Sequence, residues 1–182
     1  MKNLSIKKIS ILAVVAALYV AVTMALGSLS YGNIQFRVSE ALVLLCFYKK
    51  EYCYSMVVGC LIANIISTVG LIDMIVGTFA TLISVAVIVL CKEYLPEFFQ
   101  NKLSMNNKAA YTTSMIIASL APVIFNGLIV GLELRYVFNL PLVLSMCQVA
   151  LGEFVCVTVI GVILFTILER NKAFMRLINF DK

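Results

Sequence analysis

The chain contains no histidine and little charge. Of its 182 residues only 13% are charged and 63% are hydrophobic, and the mean hydropathy is +1.06. Imidazole acid–base chemistry is therefore excluded. A soluble protein of this length needs more charge to cover its surface, so the composition indicates an integral membrane protein with little mass outside the lipid. We expect one domain over residues 1–182.

Common enzyme and metal motifs are also absent. The sequence has no GxxxxGK[ST], GxSxG or HExxH motif and no cluster of metal-binding acids. Its six cysteines form no CxxC pair, so they are interpreted as small apolar fillers of membrane helices rather than as a zinc site. We expect no enzymatic activity, no metal and no cofactor in this chain.

Six apolar segments follow one another along the chain. They are Ile9–Leu26, Ala41–Tyr48 (preceded by the polar stretch 37–40), Tyr52–Ile66, Met74–Cys91, Ala109–Gly131 and Leu142–Leu168. The first is longer than a signal-peptide core and is interpreted as an uncleaved helix. The predicted fold is all-α: an integral membrane bundle of six transmembrane helices, with connections at 27–35, 49–51, 67–73, 92–108 and 133–141.

The basic residues are distributed asymmetrically between these connections. Six crossings place only Arg37 and Arg135, of the 14 lysines and arginines, on one face of the membrane. The positive-inside rule makes the other face cytoplasmic, so both termini are expected to be cytoplasmic. This arrangement explains the net charge of +5 without a nucleic-acid partner.

Charged and amide residues nevertheless recur within the apolar segments. They are Arg37, Glu40, Asn64, Asp73, Asn126, Glu133, Gln148 and Glu153. An ionisable group in hydrocarbon costs about 2.5–3.5 kcal/mol on insertion scales. Six crossings place these residues in the outer half of the bilayer, above aliphatic inner segments. The pattern predicts a binding site that opens outward and has a sealed floor, because a channel would need polar lining along its full length.

Each of these residues also has a purely structural interpretation. Arg37 and Glu40, three residues apart, share a helical face and can pair, or they can snorkel to the interface. Asp73 can cap the helix that follows it. Glu133 and Arg135 can be solvated loop charges. The side-chain amides of Asn64, Asn126 and Gln148 can form hydrogen bonds with one another between helices.

Glu153 is the residue that a structural role explains least well. It lies about 11 residues below Leu142, which is roughly 16 Å and near the middle of the bilayer. Its own helix offers no cation, so the carboxylate needs a partner or a proton. We therefore expect it to belong to the site.

Small residues form a stripe along the first segment. Ala13, Ala17, Ala21 and Ala25 are each four residues apart, a spacing that leaves a flat surface on which another helix can dock closely. Gly127 and Gly131 repeat the spacing in the fifth segment. Internal packing is the alternative, but four alanines in register favour docking to another subunit.

Four stretches of the sequence resemble the QueT family of membrane proteins. They are GNIQFRVSEAL from Gly32, GCLIANIISTVGLIDMIVGTFATL from Gly59, FNGLIVGLEL from Phe125 and ALGE from Ala150. The resemblance implies the substrate-binding component of an energy-coupling factor transporter in the bacterial cytoplasmic membrane. Its alanine motif would dock a transmembrane coupling subunit, and two ATPase subunits would use ATP. The implied cargo is a 7-deazaguanine, either a queuosine precursor or a salvage product.

That cargo suggests roles for the candidate residues. A carboxylate, Glu153 or else Glu40, would bind the two neighbouring N–H donors of the base, and Asn64 or Gln148 would bind its carbonyl. Asp73 or Glu133 would balance an aminomethyl ammonium, if the cargo carries one. Stacking candidates are Phe36, Tyr31 and Phe125.

Other functions remain open at this point. The cargo can be another flat heterocycle such as a vitamin. The chain can also be a self-sufficient ion-coupled carrier, in which a buried carboxylate titrates during transport, or an intramembrane enzyme.

Overall fold

A computed structural model describes residues 6–27, 36–67 and 70–180, and within these ranges the chain forms only helices and turns. This confirms the all-α prediction. In chain order the helices are α1 (Ile6–Ala25), α2 (the 3₁₀ turns Val38–Leu44 and the α-helical turn Leu45–Tyr48), α3 (Tyr52–Ile65), α4 (Leu71–Leu103), α5 (Asn107–Ala118), α6 (Leu120–Phe138), α7 (Leu142–Glu153, Phe154–Gly161 and Val162–Leu168) and α8 (Lys172–Ile178).

Four helical stretches in the described residues are long and apolar enough to cross a membrane. They are α1, α4, the nearly continuous α5–α6 unit and α7. Helices α2 and α3 are apolar but shorter. With 14 residues, α3 reaches roughly 21 Å, against a hydrocarbon thickness of about 30 Å. The chain is thus a multi-pass helical protein with two short segments.

Two predicted connections are largely helical. The prediction of a loop over Glu133–Pro141 is wrong, because α6 continues to Phe138. The helix ends where Asn139 adopts a left-handed conformation with φ 54°. Apolar residues on both sides of Glu133 sustain the helix beyond the first charge. In the connection expected between Lys92 and Lys108, α4 continues to Leu103. The tail also holds α8, which the sequence analysis did not predict.

The two ends of the bundle, called here the lower and the upper end, hold different connections between the helices. The lower end contains the turn 48–52, the turn 104–106 and the C-terminal residues; the upper end contains residues 36, 70 and 139–141. Aromatic side chains fill the lower half: the ring of Phe47 meets that of Tyr111 edge-on at 5.0 Å, and Tyr48 lies 5.7 Å from Phe165. The Tyr48 hydroxyl donates to Glu169 at 2.6 Å. The lower half is therefore a closed apolar core, and the polar residues described below lie above it.

Two irregular helical segments pack against each other in the middle of the bundle. The first half of α2 is a seven-residue 3₁₀ helix, and residues 154–161 of α7 form a π-helix. Such segments are rare at this length and often occur at functional sites. Gly161 brings them together, since a Cβ there would lie 3.1 Å from Leu44 Cδ1 and 3.4 Å from the Ala41 Cα.

The glycine pair of the fifth predicted segment serves internal packing. A Cβ on Gly127 would lie 3.0 Å from the Ala150 Cβ, and one on Gly131 would lie 2.7 Å from the Met146 Cα. Both partners are on α7. The two glycines therefore let α6 and α7 approach closely, as small residues do between membrane helices.

The Gly131→Ala substitution is expected to destabilise the protein. Its methyl group would overlap the backbone of Met146, and overpacking costs typically about 1–3 kcal/mol. The check is thermal unfolding in detergent. Gly161→Ala is the comparison and should lower the unfolding temperature less, because its tightest neighbour, at 3.1 Å, is the movable tip of the Leu44 side chain and not backbone. If Gly131→Ala unfolds at the wild-type temperature, Gly131 is not required for the close approach of α6 and α7.

Candidate functional site

Seven of the eight predicted polar residues are buried, and all eight lie on helices of the upper half. The exposed fractions are 5% for Arg37, 1% for Glu40, 0% for Asn64, 1% for Asp73, 4% for Asn126, 5% for Glu133 and 4% for Glu153. Gln148 is half-buried. Seven polar residues are thus removed from the surface of a chain whose outward-facing side chains are largely apolar.

An ion pair joins the start of α2 to the start of α4. Arg37 Nη2 lies 3.2 Å from Asp73 Oδ2. Asp73 is the third residue of α4 and Gly70 precedes the helix, so the interpretation of Asp73 as a helix cap is wrong. Asn64 donates from Nδ2 to the Asp73 carbonyl oxygen at 3.1 Å. Together these contacts tie α2, α3 and α4 at their upper ends.

A second set of hydrogen bonds joins α2 to α1. The Tyr19 hydroxyl donates to Glu40, and the hydroxyls of Thr23 and Ser39 lie 2.6 Å apart. Arg37 and Glu40 are both buried; their spacing predicted that they could pair, but Arg37 bonds to Asp73 on α4 and Glu40 to Tyr19 on α1. Neither residue snorkels to an interface.

The third contact lies deeper, between α6 and α7. Asn126 Nδ2 donates to Glu153 Oε1 at 2.8 Å. The predicted segment ends at Gly131, which would put Asn126 only five residues from the end of its helix. Because α6 continues to Phe138, Asn126 lies 12 residues, or roughly 18 Å, from that end. This brings it to the depth of Glu153.

These three contacts form one group of side chains, here called the polar cluster: Tyr19, Arg37, Glu40, Asn64, Asp73, Asn126, Glu133 and Glu153. Glu153 is close enough to interact electrostatically with Glu40 and Arg37. Glu133 interacts in the same way with Asp73 and Arg37. Residues from α1, α2, α3, α4, α6 and α7 therefore converge on one region.

Buried acceptor atoms in the polar cluster lack hydrogen-bond partners among the described residues. They are Glu40 Oε2, Asn64 Oδ1, Asn126 Oδ1, Glu153 Oε2 and both carboxylate oxygens of Glu133. Buried polar atoms are nearly always paired, so a set of unpaired ones calls for an explanation. Such a set is suited to a small solute that brings several N–H donors.

Some candidates lie outside the cluster. Arg135 is exposed, and its Nη1 donates to the carbonyl oxygens of Asn139 and Leu140 at 3.3 and 3.2 Å. It therefore stabilises the C-terminal end of α6. Phe36 and Phe125 are half-buried. Tyr31 lies outside the described residues.

The sequence analysis missed two members of this region. Tyr19, in the middle of the first apolar segment, was not among the candidates; it and Thr23, four residues on, lie on the buried face of α1. Gly77 was also overlooked: a Cβ there would lie 2.5 Å from Asn64 Nδ2 and 2.8 Å from Asp73 Oδ1. The signal in the sequence was that Gly77 follows Asp73 by four residues, which puts both on one face of the helix.

The alanine stripe lies on the opposite face of α1. Ala13, Ala17, Ala21 and Ala25 are all exposed, whereas Leu12, Ala16, Tyr19 and Thr23 are buried. The first helix therefore has an inward face that contributes to the polar cluster and an outward face that carries the alanine stripe beside larger apolar residues such as Val14 and Leu18.

Fold and site together define a class: a multi-pass helical membrane protein with a buried, acceptor-rich polar cluster and no recognised motif for catalysis. Comparison with known proteins identifies the family. The chain belongs to the QueT transporter family, which it matches over residues 9–170. It is 35% identical, over 157 residues, to the queuosine precursor transporter QueT of Lactococcus lactis subsp. cremoris (strain MG1363), covering 85% of this chain and 88% of that protein. No solved structure matches the chain. The family is one of transporters, not of enzymes.

Removing Arg37 is expected to unfold the upper half of the bundle. Breaking one partner of a buried ion pair typically costs about 3–5 kcal/mol, because the other charge stays buried. Arg37→Gln should therefore lower the thermal unfolding temperature strongly, and adding Asp73→Asn should recover part of the loss.

Arg135→Gln is the matched control, since Arg135 is exposed. Equal unfolding temperatures for the Arg37 and Arg135 variants in detergent would contradict the importance of the buried pair.

Proposed function

We propose that this chain is the substrate-binding component of an energy-coupling factor transporter in the bacterial cytoplasmic membrane, and that it captures a 7-deazaguanine from outside the cell. The cargo is a queuosine precursor or salvage product. The proposal is supported by the similarity to the Lactococcus queuosine precursor transporter and by the chemistry of the polar cluster.

The observation that carries the proposal is the pair Asn126 and Glu153. Once they have bonded to each other, one acceptor oxygen of each remains without a partner among the described residues. A 7-deazaguanine presents two adjacent N–H donors at one edge, and two neighbouring acceptors match that edge. Because Glu153 supplies a carboxylate oxygen, one of the two bonds is charge-assisted. Asn64 or Gln148 is our candidate for binding the ring carbonyl.

Two half-buried aromatic residues flank this region in sequence. Phe36 precedes Arg37, and Phe125 precedes Asn126. Stacking of a base on an aromatic ring is worth about 1–3 kcal/mol. They are our candidates for holding the flat face of the cargo.

The proposed membrane topology has six crossings with both termini in the cytoplasm. The four long stretches and the short helices α2 and α3 then alternate in direction. Lys8 pairs with Glu51 at 3.7 Å at the lower end, and ten of the twelve lysines and arginines in the described ranges lie toward that end. The positive-inside rule assigns that end to the cytoplasm, so the polar cluster faces outward.

Partner subunits supply the energy in this proposal. The chain has no nucleotide-binding motif, so two ATPase subunits would hydrolyse ATP and a transmembrane coupling subunit would connect them to α1. The exposed alanines of α1 form the docking surface. The same face borders an apolar groove of about 310 Å³ between α1 and α3, lined in part by Ala13, Tyr54 and Val58. Only 17% of the apolar core of α1 is buried, the lowest value among the four long stretches.

An ion-coupled carrier is the second candidate function, because carboxylates outnumber arginine in the polar cluster. Transport by the purified chain in liposomes under a proton gradient distinguishes the two. Uptake without partner subunits would favour the carrier, whereas uptake only with the coupling and ATPase subunits would favour the binding component.

Glu153→Gln is expected to weaken binding of a 7-deazaguanine at least tenfold, which is about 1.4 kcal/mol. The substitution removes the charge from one of the two acceptors. Isothermal titration calorimetry on the purified chain measures the change. Glu93→Gln, an exposed carboxylate on α4, is the control and should bind as the wild type does. An unchanged affinity would remove Glu153 from the site, and tighter binding of another heterocycle by the wild type would reassign the cargo.

Ala17→Leu is expected to leave ligand binding intact and to abolish uptake in cells that contain the partner subunits. The larger side chain would prevent close helix docking. Ala86→Leu is the matched control, because Ala86 is also exposed but lies on α4. If uptake persists in the Ala17 variant, the stripe is not the docking surface.

A further inference from the structure

A small cavity lies at the lower end of the bundle, between α4 and the turn that joins α2 to α3. Its volume is about 300 Å³, at the lower limit of small-molecule sites. Lys49 and Lys50 line it from the turn, and Lys92 lines it from α4. This cavity, here called the lysine pocket, is at the opposite end of the bundle from the polar cluster. An inference about it is therefore independent of the proposed cargo.

The positive charges of the lysine pocket are poorly balanced by the carboxylates of its wall. None of the three lysines forms an ion pair with another residue of the described ranges. Two carboxylates also line the pocket, but Glu51 pairs with Lys8 at 3.7 Å and Glu93 is exposed. Lys49 and Lys92 are half-buried, so the fold restricts both side chains. An anion between the ammonium groups would offset their mutual repulsion.

The lysine pocket lies at the depth where the apolar segments end. On α4, Lys92 is the first charged residue after Asp73 and follows it by 19 residues. That distance is roughly 28 Å along the helix, close to the hydrocarbon thickness of about 30 Å. On α2, Lys49 is the first charged residue after Glu40. The lysines therefore lie where phospholipid head groups begin.

Apolar residues accompany the lysines on the same face of α4. Val89 lines the pocket together with Cys46, which is only 1% exposed. Val89 and Lys92 are three residues apart and so share a face of the helix. Leu82, seven residues before Val89, lies on that face and is 47% exposed. A soluble phosphate compound would use the lysines alone, whereas a phospholipid would also pack an acyl chain along α4.

From these observations we propose that the lysine pocket binds the head group of an anionic phospholipid from the membrane leaflet at the lower end. The recognising chemistry is a phosphodiester anion among three ammonium groups. Basic pockets between membrane helices bind anionic head groups in this way, and each lysine near the membrane surface adds to the attraction. A lipid held there bridges the turn between α2 and α3 to α4.

Native mass spectrometry of the purified full chain tests this proposal. The chain is released from micelles that contain equal amounts of phosphatidylglycerol, which is anionic, and phosphatidylcholine, which is neutral overall. The wild type is expected to retain phosphatidylglycerol at least tenfold more than phosphatidylcholine. The triple variant Lys49→Gln, Lys50→Gln, Lys92→Gln should lower that preference at least fivefold, because each substitution removes a charge and keeps most of the side chain.

The matched control removes the same charge from exposed lysines outside the pocket: Lys102→Gln, Lys108→Gln, Lys172→Gln. It should keep the wild-type preference within about twofold. An equal loss in both triple variants would show that any lysine at this end attracts the lipid, and would overturn the proposal. Equal retention of the two lipids by the wild type would also overturn it. If the pocket variant does not fold, Lys92→Gln alone should lower the preference at least twofold, and an unchanged ratio would contradict the proposal.

A second measurement distinguishes a lipid from a soluble phosphate compound. A ligand that binds only the folded chain raises its thermal unfolding temperature. Phosphatidylglycerol should raise that temperature in the wild type more than sn-glycerol 3-phosphate does at the same concentration, because the latter has no acyl chain. If the two stabilise the wild type equally, the ligand is a soluble phosphate compound and the proposal of a lipid site is overturned.

Discussion

The cost of burying charge in an apolar bundle governs the arrangement of this protein. Arg37 and Asp73 are almost inaccessible to solvent, and each is tolerated because the other lies 3.2 Å away. Their contact holds the first turns of α2 and α4 together, and Asn64 adds the end of α3 through the Asp73 carbonyl. Helices too short to cross a bilayer can thus end inside the protein, where irregular backbone lines a polar region instead of meeting lipid.

The polar cluster and the exposed stripe are connected through α1. Tyr19 and Thr23 face inward and bond to α2, while the alanines of the same helix face outward. Around them, the 3₁₀ turns of α2 pack on the π-helical part of α7, immediately after Glu153. In our proposal, binding in the polar cluster and docking on the outward face depend on the same helix, α1, which would link cargo capture to the coupling subunit.

Much of the fold could be predicted from apolar run length, and the failures have physical causes. The bounds of α3 and α7 were predicted to within one residue, because charged residues flank one end of each and turn-forming residues (Ser67 and Gly70, Asn139 and Pro141) flank the other. The end of α6 was missed because Glu133 was taken as a loop charge, although apolar neighbours carry the helix past it. The burial of Arg37, Asp73 and Glu153 followed from their presence in apolar segments. The partners of the buried polar residues could not be predicted. The contact of Glu40 with Tyr19, for example, depends on how α1 packs, and the periodicity of the sequence does not encode that packing.

The central claim is that the polar cluster binds a 7-deazaguanine, and mass spectrometry of small molecules that co-purify with the chain from rich medium tests it most directly. The account predicts a 7-deazaguanine in amounts approaching one per chain, much reduced in protein that carries Glu153→Gln. An unrelated solute at that stoichiometry, or equal retention by the wild type and the variant, would contradict it.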